Sequence, residues 1–239
     1  MRTIILAAGL GTRLRPLTDT LPKALVPVGG KTLLQHTLES LIRQGTSEAV
    51  VNVHHFGQQI IDFLREHPAD IPVHISDERA LLLNTGGGIR QAITRFADKS
   101  DRSPVLIHNV DIFSNADLQG FYERNLQHEA TLLVSRRPST RQLFIRNGHL
   151  VGWTNLTTGV VRGSADGEQY AFSGIHLISP TLVEDTMQSW PKAFSIMDYY
   201  LDICATHEVH AEVCPDLRLL DVGKMDTLAE AEQRLADFS

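Results

Sequence analysis

The chain has 239 residues, a formal net charge of −6 and two cysteines, and its composition is 42% hydrophobic and 21% charged. This length suits one substantial α/β domain of a water-soluble protein. The negative charge and the lack of a dense basic cluster argue against a nucleic-acid partner, and no stretch approaches the roughly 20 apolar residues of a membrane-spanning helix. Cys204 and Cys214 fit neither a disulfide framework nor a metal motif, so we expect reduced thiols in a cytoplasmic protein.

The opening stretch of the chain has the features of an anion-binding loop. An apolar run at 4–8 predicts a short buried strand that stops at Gly9. Gly9 and Gly11 allow a tight turn and the close approach of a bulky anion. Three basic residues follow: Arg13, Arg15 and Lys23. Backbone amides, guanidinium groups and an ammonium together suit a polyphosphate.

Three other interpretations apply to the same glycines. A dinucleotide-binding loop would require a third glycine where this chain has Leu14, which counts against a nicotinamide-dependent oxidoreductase. No Gly-Lys-Ser/Thr closes a P-loop. A glycine-rich turn with solvated basic residues would have a purely structural role, and the short Gly-x-Gly motif alone does not exclude it.

Strands and helices then alternate as far as residue 135. The predicted strands are 49–53, 71–75, 105–112 and 130–135, and the predicted helices are 31–44, 58–65, 89–96 and 116–128. This alternation predicts a parallel sheet with helices on both faces, which binds ligands at the carboxyl ends of its strands.

Two segments next to these elements are candidates for ligand binding. Three consecutive glycines at 86–88, just before helix 89–96, indicate either a close approach of the backbone to something bulky or a flexible loop. Strand 105–112 ends in Asn109 and Asp111. A carboxylate at this position suits Mg²⁺ bound together with phosphate oxygens, although a lone aspartate after a strand also serves as a cap.

The alternation ends after residue 135. Strands are predicted at 142–145, 150–154 and 170–178 with no helix between them, and Asn147-Gly148 predicts a hairpin. We therefore expect an antiparallel insertion over about 136–178 within a single domain, 1–239. Helices at 180–187, 196–206 and 227–236 and a strand at 209–213 complete the prediction.

Longer motifs point to a known family. The string Leu6-Ala-Ala-Gly-Leu-Gly-Thr-Arg-Leu-Arg-Pro-Leu-Thr18, followed by Pro-Lys-Ala-Leu-Val-Pro-Val at 22–28, closely resembles the signature of the sugar-1-phosphate nucleotidylyltransferases. Weaker matches are Leu-Asn-Thr-Gly-Gly at 83–87, Asn-Val-Asp at 109–111, Phe-Ser-Gly-Ile at 172–175 and Leu-Leu-Asp-Val-Gly-Lys at 219–224. The resemblance implies the nucleotide-diphospho-sugar transferase fold: a Rossmann-like α/β architecture with a mixed, mainly parallel sheet, helices on both faces and a small antiparallel insertion.

The resemblance also implies the reaction and the residue roles. An NTP and a sugar 1-phosphate would give an NDP-sugar and pyrophosphate, with Mg²⁺ as the cofactor and no covalent enzyme intermediate. The implied nucleotide-binding residues are Ala8, Gly9, Gly11, Thr12, Arg13, Asn84, Thr85, Gly86 and Gly87. Arg13 and Lys23 would be catalytic, Asn109, Ser173 and Gly174 would contact the sugar, and Asp111 and Asp221 would bind the metal. The Glu-Lys-Pro triplet that holds the sugar and its phosphate in many relatives is absent here.

Within the family, residues 83–88 resemble the pattern of N-acetylmuramate-1-phosphate uridylyltransferases, which predicts UTP and N-acetylmuramate 1-phosphate, or a related sugar, as substrates. A GTP-dependent mannose- or heptose-1-phosphate guanylyltransferase is the alternative. A catalytically inactive regulator that senses nucleotide sugars is disfavoured, because the chain retains Arg13, Lys23, Asp111 and Asp221. We expect a monomer or a dimer that acts on small molecules and binds neither nucleic acid nor membrane.

Overall fold

The structure is a computed structural model that describes residues 1–234 and 238. Its strands are β1 Arg2–Leu6, β2 Pro27–Val28, β3 Lys31–Thr32, β4 Glu48–Val53, β5 Val73–Asp77, β6 Val105–Asn109, β7 Ile112–Ser114, β8 Ala130–Ser135, β9 Arg141–Arg146, β10 His149–Asn155, β11 Val160–Gly163, β12 Glu168–Ile178, β13 Val209–Val213 and β14 Leu219–Asp221. Its α-helices are α1 Leu33–Arg43, α2 Gly57–Glu66, α3 Asn84–Ala92, α4 Leu118–Arg124, α5 Pro180–Thr186, α6 Ile196–Ile203 and α7 Met225–Arg234. Among the described residues, no helix has the length and apolar character needed to cross a bilayer.

A mixed sheet of ten strands forms the centre, in the order β11-β10-β13-β8-β12-β6-β1-β4-β5, with β9 paired to both β10 and β12. β1 pairs in parallel with β4 on one side and with β6 on the other. The chain therefore moves outward from β1 to β4 and β5 and later returns to the opposite side at β6. Such a reversal opens a crevice at the carboxyl ends of the strands, where ligands bind in open α/β sheets.

Helices cover both faces of the sheet, as predicted. Successive residues of β1 point to opposite faces, so that Ile4 belongs to one hydrophobic cluster and Ile5 to another. The Ile4 cluster includes residues of α3, α5 and α6, whereas the Ile5 cluster includes residues of α1, α2 and α4. Both isoleucines are fully buried, and burial of such a side chain contributes about 1.5–3 kcal/mol to folding.

The main difference from the predicted elements concerns the three glycines. α3 begins at Asn84, so residues 86–88 lie inside the helix, whereas the sequence placed them before a helix at 89–96. An ideal Cβ on Gly86 would lie 2.2 Å from the ring of Phe194, and one on Gly87 would lie 2.2 Å from the carbonyl oxygen of Lys192. The glycines therefore let α3 pack directly against the segment that precedes α6. This packing outweighs the low helix propensity of glycine, which is about 1 kcal/mol per residue.

The predicted antiparallel region is an extension of the central sheet. β9 pairs with β10 and with β12, and β12 pairs with β6 and β8, so these strands continue the main sheet and form no separate layer. The hairpin predicted at Asn147-Gly148 joins β9 to β10, with φ angles of 52° and 79°. β11, at the sheet edge, is not predicted from the sequence.

The short strands β2, β3 and β14 are not predicted either, and the strand predicted at 105–112 is divided into β6 and β7. Most other elements lie where the sequence predicts them, with ends shifted by a few residues. The helix predicted at 116–128 is the shorter α4, which begins after Asp117 because that side chain accepts a hydrogen bond from Gly120 N at 2.8 Å. The C-terminal helix predicted at 227–236 is α7, and residues 235 and 236 lie outside the described part of the chain.

Candidate active site

A cleft of about 650 Å³ opens at the carboxyl ends of β1 and β6. Its walls come from the glycine loop after β1, the start of α3, the end of β6 and the segments before α6 and after β14. The lining residues are Leu6, Ala7, Ala8, Gly9, Leu10, Gly11, Thr12, Arg13, Lys23, Asn52, Leu82, Asn84, Thr85, Asn109, Val110, Asp111, Ser195 and Gly223.

The glycine loop is anchored by a buried amide. Asn52 in β4 accepts hydrogen bonds through Oδ1 from Ala7 N at 2.6 Å and from Ala8 N at 3.2 Å. The predicted nucleotide-binding residue Ala8 lines the cleft, but its amide is already bound to Asn52. The next amides, of Gly9, Leu10 and Gly11, donate to no acceptor among the described residues. These three N–H groups are available to an anion at the head of the loop.

Asn52 also connects this loop to α3. Its Nδ2 donates to Glu78 Oε1 at 2.7 Å, and Glu78 Oε2 accepts from Leu83 N at 3.1 Å. Glu78 is only 2% exposed. Burial raises the pKa of Glu78, and the hydrogen bonds from Asn52 and from the Leu83 amide oppose that rise. The bonds Ala7–Asn52–Glu78–Leu83 thus fix the glycine loop relative to the other wall of the cleft.

Four charged side chains meet around Gly223. The Lys23 ammonium donates a hydrogen bond to Asp111 Oδ2, and their side chains are 11% and 16% exposed. An ideal Cβ on Gly223 would lie 2.5 Å from Asp221 Oδ1, 2.7 Å from Arg13 Nη2 and 3.1 Å from Lys23 Nζ. The structure therefore brings together both predicted catalytic cations and both predicted metal-binding carboxylates, which lie far apart in the sequence.

The two carboxylates are suited to a divalent cation. Asp221 keeps part of its surface exposed, yet the surrounding protein raises its pKa, Asp111 raises the pKa further, and Lys23 and Arg13 lower it. A cation bound beside both carboxylates would offset the repulsion that Asp111 exerts on the ionised form of Asp221. No group of three or more His, Cys, Asp or Glu residues in the described part of the chain is arranged to hold a metal. Any further ligands would be water and substrate oxygens, as is common for Mg²⁺.

The remaining residues of the opening motif divide into two groups. Thr12 and Arg13 belong to a short 3₁₀ turn, Thr12–Leu14, and both line the cleft. Arg15 lies outside the cleft, where its exposed guanidinium forms an ion pair with Asp19 at 3.2 Å.

The segment predicted to recognise the base contributes two of its four residues to the cleft. Asn84 and Thr85 line it, whereas Gly86 and Gly87 are buried in α3. Asn84 has a φ of 57°, and its side chain has no hydrogen-bond partner among the described residues, so its amide group can bind a ligand. The Thr85 hydroxyl accepts from Ile196 N at 2.9 Å, which joins α3 to the start of α6.

The residues predicted to contact the sugar lie at β6 and β12. Asn109 lines the cleft, and an ideal Cβ on Gly174 would lie 2.7 Å from Asn109 Nδ2. Gly174, with a φ of 81°, lies where the register of β12 against β8 shifts. Ser173 is 1% exposed, is absent from the cleft lining, and accepts a hydrogen bond from Ile175 N at 3.1 Å. Its hydroxyl therefore stabilises this bulge.

Comparison with known proteins gives consistent results. The nucleotidyl transferase family profile matches residues 2–144. The N-acetylmuramate alpha-1-phosphate uridylyltransferase of Caulobacter vibrioides is 32% identical over 98% of this chain and 96% of the relative. The D-glycero-alpha-D-manno-heptose 1-phosphate guanylyltransferase of Aneurinibacillus thermoaerophilus is 24% identical over the full length of both chains. The crystal structure of HddC from Yersinia pseudotuberculosis complexed with GMP-PN has a TM-score of 0.76 at 23% identity, covering 98% of this chain and 99% of that one, and therefore shares its fold.

Proposed function

The chain belongs to the nucleotidyl transferase family, and on that premise we propose that it transfers a nucleotidyl group from an NTP to a sugar 1-phosphate and releases pyrophosphate. The observation that carries this proposal is the meeting of Arg13, Lys23, Asp111 and Asp221 around Gly223. Arg13, Lys23 and Asp111 line the same cleft as the glycine loop, whose Gly9, Leu10 and Gly11 amides donate to no acceptor in the described part of the chain. Such an arrangement binds and aligns phosphates.

The proposed reaction needs no general base. A phosphate oxygen of the acceptor is already an anion and attacks the α-phosphorus of the NTP. The bond from the α-phosphorus to the oxygen that bridges to the β-phosphate breaks, and pyrophosphate leaves with the electron pair. The barrier arises from repulsion between two polyanions and from charge that develops on the transferred group, so alignment and electrostatic stabilisation supply the catalysis.

Each side chain has a role consistent with its position. The Gly9, Leu10 and Gly11 amides together with Arg13 would bind the departing pyrophosphate. Lys23, whose ammonium already lies at the carboxylates, would stabilise the charge between donor and acceptor phosphates. On the other wall Asn84 and Thr85 would contact the base, and near β6 Asn109 and the backbone of Gly174 would contact the sugar.

We assign Mg²⁺ as the metal because Asp111 and Asp221 offer only hard oxygen ligands. When bound there, the ion would neutralise phosphate charge. The ammonium of Lys23 contacts Asp111 in the structure, so this lysine is placed to exchange its carboxylate partner for a phosphate oxygen when substrates bind.

The substrate pair we propose is UTP with N-acetylmuramate 1-phosphate or a related sugar. It is supported by the 32% identity to a uridylyltransferase over nearly the whole of both chains. GTP with a heptose or mannose 1-phosphate is the second candidate, favoured by the full-length similarity to the heptose guanylyltransferase. We further propose that the protein acts in the cytoplasm as a monomer or a dimer, with residues 1–239 forming one domain.

The experiment is a pyrophosphate-release screen of four NTPs against a panel of sugar 1-phosphates with Mg²⁺. We expect the highest kcat/KM for UTP with N-acetylmuramate 1-phosphate, and no turnover from an Asp221→Asn control purified in parallel. A preference for GTP would overturn the nucleotide assignment and leave the reaction class standing. Failure of the folded wild-type protein to release pyrophosphate with any pair would overturn the reaction class.

A further inference from the structure

The topology brings two more basic residues to the edge of the sheet that carries the cleft. β12 runs antiparallel to β6 and to β8, so β8 runs in the same direction as β6 and β1. The carboxyl end of β8 therefore lies at the same edge as the carboxyl ends of β1 and β6. Two strand spacings, roughly 10 Å, separate β8 from β6. Arg136 and Arg137 are the first residues after β8.

Arg137 is a half-buried cation with few acceptors. Its Nη2 donates to the carbonyl oxygen of Phe172 at 2.8 Å. Its Nε is buried and has no hydrogen-bond partner, and no carboxylate in the described part of the chain forms an ion pair with it. Burial lowers the pKa of Arg137, and the charge of Asp221 opposes this effect. A guanidinium remains charged in proteins, so Arg137 is a cation without an ion-pair partner among the described residues.

A charged group held in this way requires an explanation, because burial of an unpaired cation is unfavourable. The Phe172 carbonyl accepts one N–H and leaves the Nε side of the guanidinium without a partner. Phe172 lies two residues before Gly174, which contacts Asn109, and Asn109 lies two residues before Asp111. Arg137 is not among the residues that line the cleft. Its hydrogen bond to the Phe172 carbonyl holds it beside the part of β12 that leads to Gly174 and Asn109, and Asp221 lies near enough to act on its charge.

We propose that Arg137 binds the phosphate of the sugar 1-phosphate acceptor. This inference rests on the proposed function and adds to it a residue that touches the acceptor. The phosphates of the NTP already have binding groups in Arg13 and the glycine-loop amides, which lie on the far side of β6. Because Nε is enclosed by the protein and one Nη2 hydrogen is bound to Phe172, the donors left for a ligand are the Nη1 hydrogens and the second Nη2 hydrogen. Two of these on adjacent nitrogens form a fork, which matches two phosphate oxygens.

Arg136 provides a matched control. It precedes Arg137, is exposed, forms an ion pair with Glu168, and lies over the Tyr170 ring at 5.0 Å. Its charge is therefore already paired, on the outer surface of the same strand end. Arg136→Met and Arg137→Met remove the same side chain at adjacent positions, and Arg137→Lys keeps the charge but loses the fork.

The experiment measures KM separately for the acceptor and for the NTP in the four proteins, with the best substrate pair. Arg137→Met should raise the KM for the sugar 1-phosphate roughly 10- to 100-fold, the usual range for loss of a charged hydrogen bond. The NTP KM should stay within about twofold, Arg137→Lys should be intermediate, and Arg136→Met should resemble the wild type. Equal changes in both KM values, or an unchanged acceptor KM in Arg137→Met, would overturn the proposal.

A second readout needs no turnover. Protection of the protein against thermal unfolding is measured with inorganic phosphate and, in parallel, with acetate. We expect phosphate to protect the wild type and Arg136→Met more than Arg137→Met, and acetate to protect all proteins equally. If acetate protection instead depends on Arg137, the residue recognises a carboxylate and the phosphate assignment is wrong. Because this comparison is independent of catalysis, it tests Arg137 even if the reaction class proposed above is incorrect.

Discussion

The hydrogen bonds made by Asn52 and Glu78 allow a sharp test of how the cleft is held together. Glu78 accepts from Asn52 Nδ2 and from Leu83 N, while Asn52 Oδ1 accepts from Ala7 N and Ala8 N. Glu78→Gln keeps the shape but replaces one acceptor by a donor, which then faces either Asn52 Nδ2 or Leu83 N. A buried donor without an acceptor costs about 1–3 kcal/mol, and removal of a carboxylate whose pKa is raised by burial offsets part of this. We expect a net loss of about 1–2 kcal/mol.

Asn52→Asp creates a different conflict. Two carboxylates then face each other in a buried site, so the folded state binds a proton and its carboxyl pKa rises above the unfolded value of about 4. The stability of this variant is therefore present at pH values below the unfolded pKa and is lost as the pH rises through the raised folded pKa. At pH 7 we expect a loss of about 2–3 kcal/mol.

The double variant, which combines Asn52→Asp with Glu78→Gln, should restore the network. The introduced carboxylate can accept from the loop amides with one oxygen and from the introduced side-chain amide with the other, and the oxygen of that amide can accept from Leu83 N. We therefore expect the double variant to lose less than about 1 kcal/mol, a coupling of about 2 kcal/mol or more. Urea unfolding at pH 7, followed by tryptophan fluorescence, measures the free energies, and Glu66→Gln at the exposed end of α2 is the control. If the double variant loses as much unfolding free energy as the two single variants together, Asn52 and Glu78 do not form a coupled network. Nucleotide affinity should follow the same pattern, because Asn52 and Glu78 join the two walls of the cleft.

Three further predictions concern the charged cluster. Asp111→Ala and Asp221→Ala should each lower Mg²⁺-dependent kcat by roughly 100-fold or more while circular dichroism stays unchanged, and near-normal rates in either variant would contradict the metal assignment. Lys23→Ala should lower kcat more than it raises KM, since its charge matters most as the transition state forms. Lys23→Arg should not restore the rate, whereas a rise in KM alone would make Lys23 a docking residue. Gly223→Ala places a methyl group 2.5 Å from Asp221 Oδ1 and 2.7 Å from Arg13 Nη2, and should lower kcat at least about tenfold; wild-type kinetics would show that the cluster tolerates displacement.

Local sequence patterns predict most of the parallel half of the fold because β1, β4 and β8 are short, largely apolar runs. β4 and β8 are found within one residue of their predicted ends. The charged cluster is also predicted, because Arg13, Lys23, Asp111 and Asp221 all lie in motifs that can be read without knowledge of the fold. β11 is missed for the opposite reason. It lies at the edge of the sheet and all four of its residues are exposed, so it has no apolar alternation.

The start of α3 shows where local propensity fails. Three glycines disfavour a helix by about 1 kcal/mol each relative to alanine, so the sequence places residues 86–88 in a loop. In the folded chain, Gly86 N donates to the Phe194 carbonyl at 2.8 Å and Phe194 N donates to the Leu83 carbonyl at 3.1 Å. Thr85 and Ile196, which a further hydrogen bond joins, lie 111 residues apart in the sequence. A partner at that separation cannot be read from the helix sequence itself.

Asn52 and Glu78 are absent from the predicted site for a related reason. The only local signal was one polar residue, Asn52, inside the apolar strand β4. Its importance comes from register: β4 pairs in parallel with β1 and with β5, so the end of β4 lies between the glycine loop and the chain that leaves β5. From that position the Asn52 side chain accepts from the amides of the glycine loop and donates to the Glu78 carboxylate, which in turn binds Leu83 N. A leucine of nearly the same shape could occupy position 52, but it could not form these hydrogen bonds. The asparagine at this position is therefore explained by hydrogen bonding across three strands and not by the hydrophobic pattern.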